Sequence, residues 1–201
     1  MTTGRPREFD LDERLDRAVA VFWRQGYEGT ALSDLTAAMG INRPSLYAAY
    51  GNKESLYRKA LDRYADRADH VREAFEQPTA RACAETLLRG TVAAATGGDA
   101  PGCLMVQGAL ATGEQAGAVR DETAARRHAA EAALCRRFEQ ARRDGDLAPD
   151  ADVRGLAQFV GLVWYGVAVQ AAGGATPEEL HRAVDIAMSA FPSPRGTFPA
   201  P

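Results

Sequence analysis

The sequence predicts an all-α fold of about nine helices, with a small N-terminal domain and a larger C-terminal one. Three observations lead there. Apolar residues recur at helical spacing, as in Leu32, Leu35 and Met39, or Leu56, Ala60 and Leu61. Start and stop signals punctuate the chain, among them Gly40, Pro44, Asn52, Pro78, the Gly97-Gly98 pair and the Gly173-Gly174 pair. No run alternates apolar and polar residues between turn signals as a strand would.

Residues 1–8 read as a flexible arm whose Arg5 and Arg7 can reach a minor groove or phosphates. Asp10 and Glu13 resemble a capping pair for the first helix, with Leu11, Leu15, Ala18, Val19 and Phe22 as its buried stripe and Gly26 as its end. Thr30 can cap a short second helix, and Asp34 lies in its opening turn, where a carboxylate suits the helix dipole. Gly40 ends that helix in the left-handed conformation. Pro44 falls in the first turn of a third helix, where its missing N–H costs nothing. There Leu46, Ala49 and Tyr50 face inward, leaving Arg43, Ser45, Tyr47 and Ala48 outward. Two short helices around a Gly-containing turn form a helix-turn-helix, whose second helix enters the major groove of DNA. Asn52 caps a fourth helix over 53–75.

The order T-x-L-x-D-L-x-x-x-x-G-x-x-x-x-S-L-Y-x-x-Y-x-x-K-E-x-L, from Thr30 to Leu56, resembles the TetR (TetR/AcrR) family of bacterial transcriptional regulators. The resemblance covers roughly residues 10 to 62, about a third of the chain. It implies an N-terminal arm and helix-turn-helix domain over 1–52 and a ligand-binding and dimerisation domain over 53–191, entered through the linking helix 53–75. The operator-facing set it implies is Thr30, Ser33, Arg43, Pro44, Ser45, Tyr47, Ala48 and Lys53, with Arg43 placed for a guanine edge and Lys53 for a phosphate. Tyr27 and Tyr50 stand where the family more often has Phe, which is harmless if each hydroxyl reaches water; Ala48 and Ala49 leave fewer side chains to reach bases.

Beyond Pro78 the helices become Ala-rich. One spans 79–96 and stops at the Gly97-Gly98 pair; a short one, 103–112, opens after Pro101-Gly102; a long one covers 118–143 and ends at Gly145. A helix over 152–172 is apolar nearly all round, which means burial on both sides. Its glycines and its Gln158 and Gln170 argue against a membrane span. The last helix, 176–191, carries a full start signal in Thr176, Pro177 and Glu179, and a Pro-rich tail covers 192–201. The last two helices resemble the four-helix dimer interface of the family, with Gly161, Val167, Leu180, Val184 and Met188 as interface residues and Gly155, Gly161 and Gly166 allowing close approach. An effector cavity is expected between helices 103–112 and 152–172, from Cys103, Met105, Gln107, Phe138, Phe159, Trp164 and Tyr165. The Gly102-Cys103-Leu104 run resembles a subset of the family in which that short helix links the cavity to the fourth helix.

Composition narrows the function classes. The net charge of −3 excludes a globally basic nucleic-acid binder: residues 1–64 hold ten Lys/Arg against nine Asp/Glu, so DNA affinity must come from a local face. Three widely spaced cysteines give no disulfide framework, and no signal peptide is visible at the N-terminus, so the expected compartment is the cytoplasm. No nucleophile–base pair, phosphate loop or metal-ligand spacing stands out, so no catalytic residue, metal or cofactor is expected. The reading is therefore a homodimeric repressor of a pseudo-palindromic double-stranded operator, released by a small, mostly apolar or aromatic effector. The alternatives are a thiol-based redox or electrophile sensor acting through Cys103, and a helical interaction module that binds no DNA.

Overall fold

A computed structural model describes residues 6–97, 101–109 and 116–192. Among them lie ten helices: α1 Pro6–Gly29, α2 Leu32–Met39, α3 Arg43–Tyr50, α4 Lys53–Asp66, α5 Asp69–Glu76, α6 Ala80–Thr96, α7 Leu104–Ala109, α8 Gly117–Arg143, α9 Val153–Ala172 and α10 Pro177–Ala190. Arg5 and the tail 193–201 fall outside the described residues, as does the expected continuation of the short helix to 112; Arg7 is described only as part of the α1 backbone.

The chain divides into two compact units, one holding residues up to Arg67 plus Leu104–Ala124, the other Ala68–Cys103 plus Ala125 onward. This departs from the expected division at residue 52. The reason is burial: Leu56, Tyr57, Ala60 and Leu61 of α4 share one cluster with Ala18, Val21 and Phe22 of α1, Leu35 and Met39 of α2, Leu46 and Tyr50 of α3, and Leu104 of α7.

The first helix begins at Pro6, before the expected Asp10 cap, and Leu11 lies exposed instead of on the buried stripe. Helical hydrogen bonding runs on to Gly29 across a kink at Gly26, whose φ of +69° only glycine adopts readily. Thr30 does not cap α2. It is buried, its Oγ1 donates to the Gly26 carbonyl (2.6 Å), and the cap is Ala31, whose N–H donates to Asp34 Oδ2 (3.0 Å). Two start signals act as read: Asn52 accepts from the Ser55 N–H (2.8 Å), and Thr176 and Glu179 exchange bonds at the head of α10. The cap of α3, not singled out from the sequence, is Asn42, which accepts from the Ser45 N–H (2.9 Å).

The expected helix 53–75 is two helices, broken at Arg67 and Ala68, where ψ values of 1° and 64° interrupt the α-conformation. No Gly or Pro marks the break; tertiary contacts select it. In the first unit Arg67 and Arg63 both hold Asp16 of α1, Arg63 bidentately at 2.8 and 3.2 Å. In the second unit His70 of α5 fits against Gly90 of α6, where a Cβ would come within 2.4 Å of the His70 Cβ.

The second unit is built around α6, against which α5, α9 and α10 pack. Its core includes Leu87, Leu88, Leu134, Phe138, Leu156, Val160, Val167, Leu180, Val184 and Met188. The helix α9 is long and apolar enough to cross a membrane by composition alone, yet Leu156, Ala157, Val160, Val167 and Ala171 bury one side of it in this core. The other side is exposed.

Candidate nucleic-acid interface

The turn between α2 and α3 is held from behind. Gly40 takes the left-handed conformation (φ +64°), and Arg14 of α1 donates to the carbonyls of Met39 (3.0 Å) and Gly40 (2.9 Å), satisfying acceptors that the end of α2 leaves open. Leu46 is wholly buried and Tyr50 nearly so, with its hydroxyl donating to the Leu11 carbonyl (2.9 Å). That bond gives Tyr50 an internal partner. One edge of α3 is thus locked onto α1 and α4, and the rest is presented to solvent.

The presented face carries Arg43, Pro44, Ser45, Tyr47 and Ala48, all exposed, with Tyr47 at 49% the largest apolar surface on it. Ala49, expected inward, is exposed as well. At eight residues α3 is short, and Leu46 and Tyr50 alone anchor it to the core. Ser33 is exposed at the start of α2, whereas Thr30 has no free hydroxyl to offer. Lys53, the first residue of α4, is half-buried with its ammonium over the Tyr27 ring. Arg43 and Lys53 flank the exposed face of α3, which carries polar and small side chains.

The other expected sites fare differently. Phe138 is wholly buried, packed edge-to-face on Phe191 at 5.7 Å between centroids. Phe159 packs against the core of the second unit and lines a groove of 230 Å³ with Asp152, Gly155, Leu156 and Ala190. Trp164 stacks on Tyr165 (5.2 Å, 11°), and burial, with Cys103 and Glu131 nearby, pushes the Tyr165 phenol up to about 12 against the pull of Arg127. Cys103 is half-buried immediately before α7. Met105 and Gln107 lie on α7 in the first unit, where Met105 packs against the aromatic cluster. A second groove of 330 Å³ runs between α8 and α9 and is lined by His128, Glu131, Cys135, Arg136, Arg154 and Gln158.

The residues expected at the dimer interface lie inside their own unit. Val167, Leu180, Val184 and Met188 are buried in the core of their own unit, and Gly161 is buried too, though a Cβ there or at Gly166 would meet nothing within 4 Å. Gly155 instead approaches its own cap, Asp152. The exposed apolar side chains of these helices are Leu162 (75%), Val169 (45%) and Ile186 (72%). A helix apolar on all sides hides which half meets its own subunit, so periodicity alone could not separate the two sets.

Comparison with known proteins gives a consistent result. Residues 15–60 match the family described as bacterial regulatory proteins, tetR family, and residues 81–187 match the tetracyclin repressor-like C-terminal domain. The HTH-type transcriptional repressor ComR of Escherichia coli (strain K12) is 35% identical over 196 residues, covering 94% of this chain and 92% of ComR. A cysteine-substituted form of the TetR family transcriptional regulator CifR, solved with 26-bp double-strand operator DNA, superposes with a TM-score of 0.87 at 42% identity, covering 94% of this chain and 100% of that one. A putative TetR transcriptional regulator from Rhodococcus sp. RHA1 superposes with a TM-score of 0.63 at 42% identity, over 90% of this chain and 98% of the other.

Proposed function

The chain belongs to the tetR family of bacterial regulatory proteins, and on that premise we propose that it is a homodimeric repressor of its own operator, released by a small effector. It is a DNA-binding transcriptional regulator acting in the cytoplasm. The observation that carries the reading is the exposed polar face of α3, fixed by buried Leu46 and Tyr50 and flanked by Arg43 and Lys53. The relatives support it: ComR is a repressor, and CifR is seen on operator DNA.

Arg43 reads a guanine edge, Ser45 and Tyr47 contact the adjacent operator, and Lys53 holds a phosphate. Base contacts specify and phosphate contacts position. Replacing Arg43 by Ala therefore relaxes the preference for operator over scrambled DNA by about 1–3 kcal/mol, whereas Lys53→Met weakens both equally. Fluorescence anisotropy with the two fragments measures this; unchanged preference in Arg43→Ala rejects the assignment.

Dimerisation uses the exposed sides of α9 and α10, with Leu162, Val169 and Ile186 at its centre. Apolar residues so exposed on adjacent helices mark a partner surface, and a two-fold dimer sets two copies of α3 about 34–36 Å apart, one turn of DNA. The effector binds in the second unit beside Tyr165, Trp164, Phe159 and Cys103, and can displace DNA only by its differential affinity for the bound and released states. Release by thiol modification is a second reading, favoured by Cys103 being half-exposed while Cys83 is buried with its thiol pushed up to about 11.

A further inference from the structure

Lys53 does not swing freely at the DNA face. Its Nζ lies over the Tyr27 ring, 4.5 Å from the centroid. The ring itself is held fast. Tyr27 lies 5.2 Å from Tyr57 at 68° and 6.4 Å from Phe22 at 18°, while Phe22 and Tyr57, both wholly buried, meet edge-to-face at 4.9 Å. The kink at Gly26 directly precedes Tyr27 and sets the direction in which its ring leaves α1. Tyr57 is tied in turn by its hydroxyl, which donates to the Leu104 carbonyl of α7 at 3.3 Å.

The charges around this seat are consistent with it. Burial pulls the Lys53 ammonium down from its ordinary value while Glu28 and Asp34 act against that pull. Burial and Glu54 push the Tyr27 phenol up, which keeps the ring neutral and its face electron-rich.

We infer that Tyr27 is a positioning residue for DNA recognition: its ring face holds the Lys53 ammonium at the N-terminus of α4, already directed and part-desolvated before a phosphate arrives. The inference rests on the reading of Lys53 as a phosphate contact. A lysine ordered only on binding loses rotamer freedom at that moment; one seated beforehand loses less. The rotamer freedom that a seated lysine no longer loses on binding is worth about 2- to 5-fold in affinity per subunit, the equivalent of about 0.5–1 kcal/mol. A dimer with two seats gains about 5- to 30-fold.

The test is a double-mutant cycle on a duplex selected by the parent protein from random sequences, with affinity measured by anisotropy across a salt series. The proteins are the parent, Tyr27→Leu, Lys53→Met and the double variant. Tyr27→Leu is expected to weaken binding about 5- to 30-fold when Lys53 is present and less than 2-fold when it is Met. It should leave the salt slope unchanged, because the phosphate contact still forms. Lys53→Met lowers that slope. Trifluorophenylalanine at position 27 keeps the ring's shape while removing its electron-rich face; it should reproduce the loss, and Tyr27→Phe should restore affinity to within about 2-fold. Equal losses from Tyr27→Leu in both backgrounds, or full affinity with the fluorinated ring, would overturn the seat and leave Tyr27 as ordinary packing. An unchanged salt slope in Lys53→Met would overturn the phosphate contact itself, a distinct failure.

Discussion

Gly108 of α7 occupies a notch that nothing larger fits. A Cβ there would lie 2.5 Å from the Tyr57 hydroxyl oxygen and 2.8 Å from Thr123 Cγ2. Neither wall can yield cheaply. Tyr57 is wholly buried in the aromatic cluster, and Thr123 is wholly buried with its hydroxyl donating to the Val119 carbonyl at 2.9 Å. Helix propensity alone would favour Ala over Gly by about 0.8–1 kcal/mol. Against that stand over-packing of about 1–3 kcal/mol and the displaced Tyr57–Leu104 hydrogen bond (3.3 Å), worth about 0.5–1.5 kcal/mol. Gly108→Ala is therefore predicted to destabilise by about 0.5–4 kcal/mol net. Urea unfolding at fixed protein concentration reads it as a lower midpoint with an unchanged slope. The control is Gly29→Ala, whose Cβ would meet only Gln25 Cβ at 3.9 Å and which should be neutral or mildly stabilising. A Gly108→Ala midpoint equal to or above the parent's would refute the reasoning, because the notch would then be soft.

Ile186→Arg and Leu162→Arg, on the exposed sides of α10 and α9, should raise the dimer dissociation constant more than about 100-fold while each chain stays folded. Sedimentation and circular dichroism check both halves of that statement, whereas Val184→Arg should unfold the chain. Asp16 is pushed up by partial burial, but the hydrogen bond from Arg63 and the charges of Arg67 and Arg63 outweigh this and leave its carboxyl below the ordinary 3.8. Its contribution is thus present above pH 3.8 and fades as pH falls through the lower folded value; Asp16→Asn should lower stability at pH 7 and narrow the gap to the parent as pH falls below 3.8. Cys103→Ser should keep DNA binding; if release by hydrogen peroxide persists in that variant, or is absent from the parent, Cys103 is not a peroxide sensor.

Much of the DNA-facing unit was legible because its signals are local. Asn52 and the left-handed Gly40 act within four residues of where they stand, as Thr176 does in the second unit, and Leu46 and Tyr50 face inward by helical period alone. What stayed hidden depends on partners far along the chain. Thr30 bonds to Gly26 and yields the cap to Ala31 and Asp34, a competition that Thr30's residue type does not reveal. The break at Arg67 and Ala68 carries no Gly or Pro; long-range contacts at Asp16 and Gly90 impose it. Lys53 and Tyr27 meet across 26 positions, beyond any periodicity. Leu162 and Val167 are equally apolar five residues apart, yet one is exposed and the other buried, because only packing on α6 decides which half of α9 turns inward.

The central claim, that two copies of α3 read one duplex, is tested most directly by selecting bound fragments from the organism's own DNA with purified protein and footprinting the best of them. The account predicts two inverted half-sites whose centres lie about 10–10.5 bp, or a whole multiple of that, apart, protected at a ratio of two chains per half-site pair or a multiple of it. A single unpaired half-site held by one chain, or no sequence preferred over bulk DNA, would contradict it.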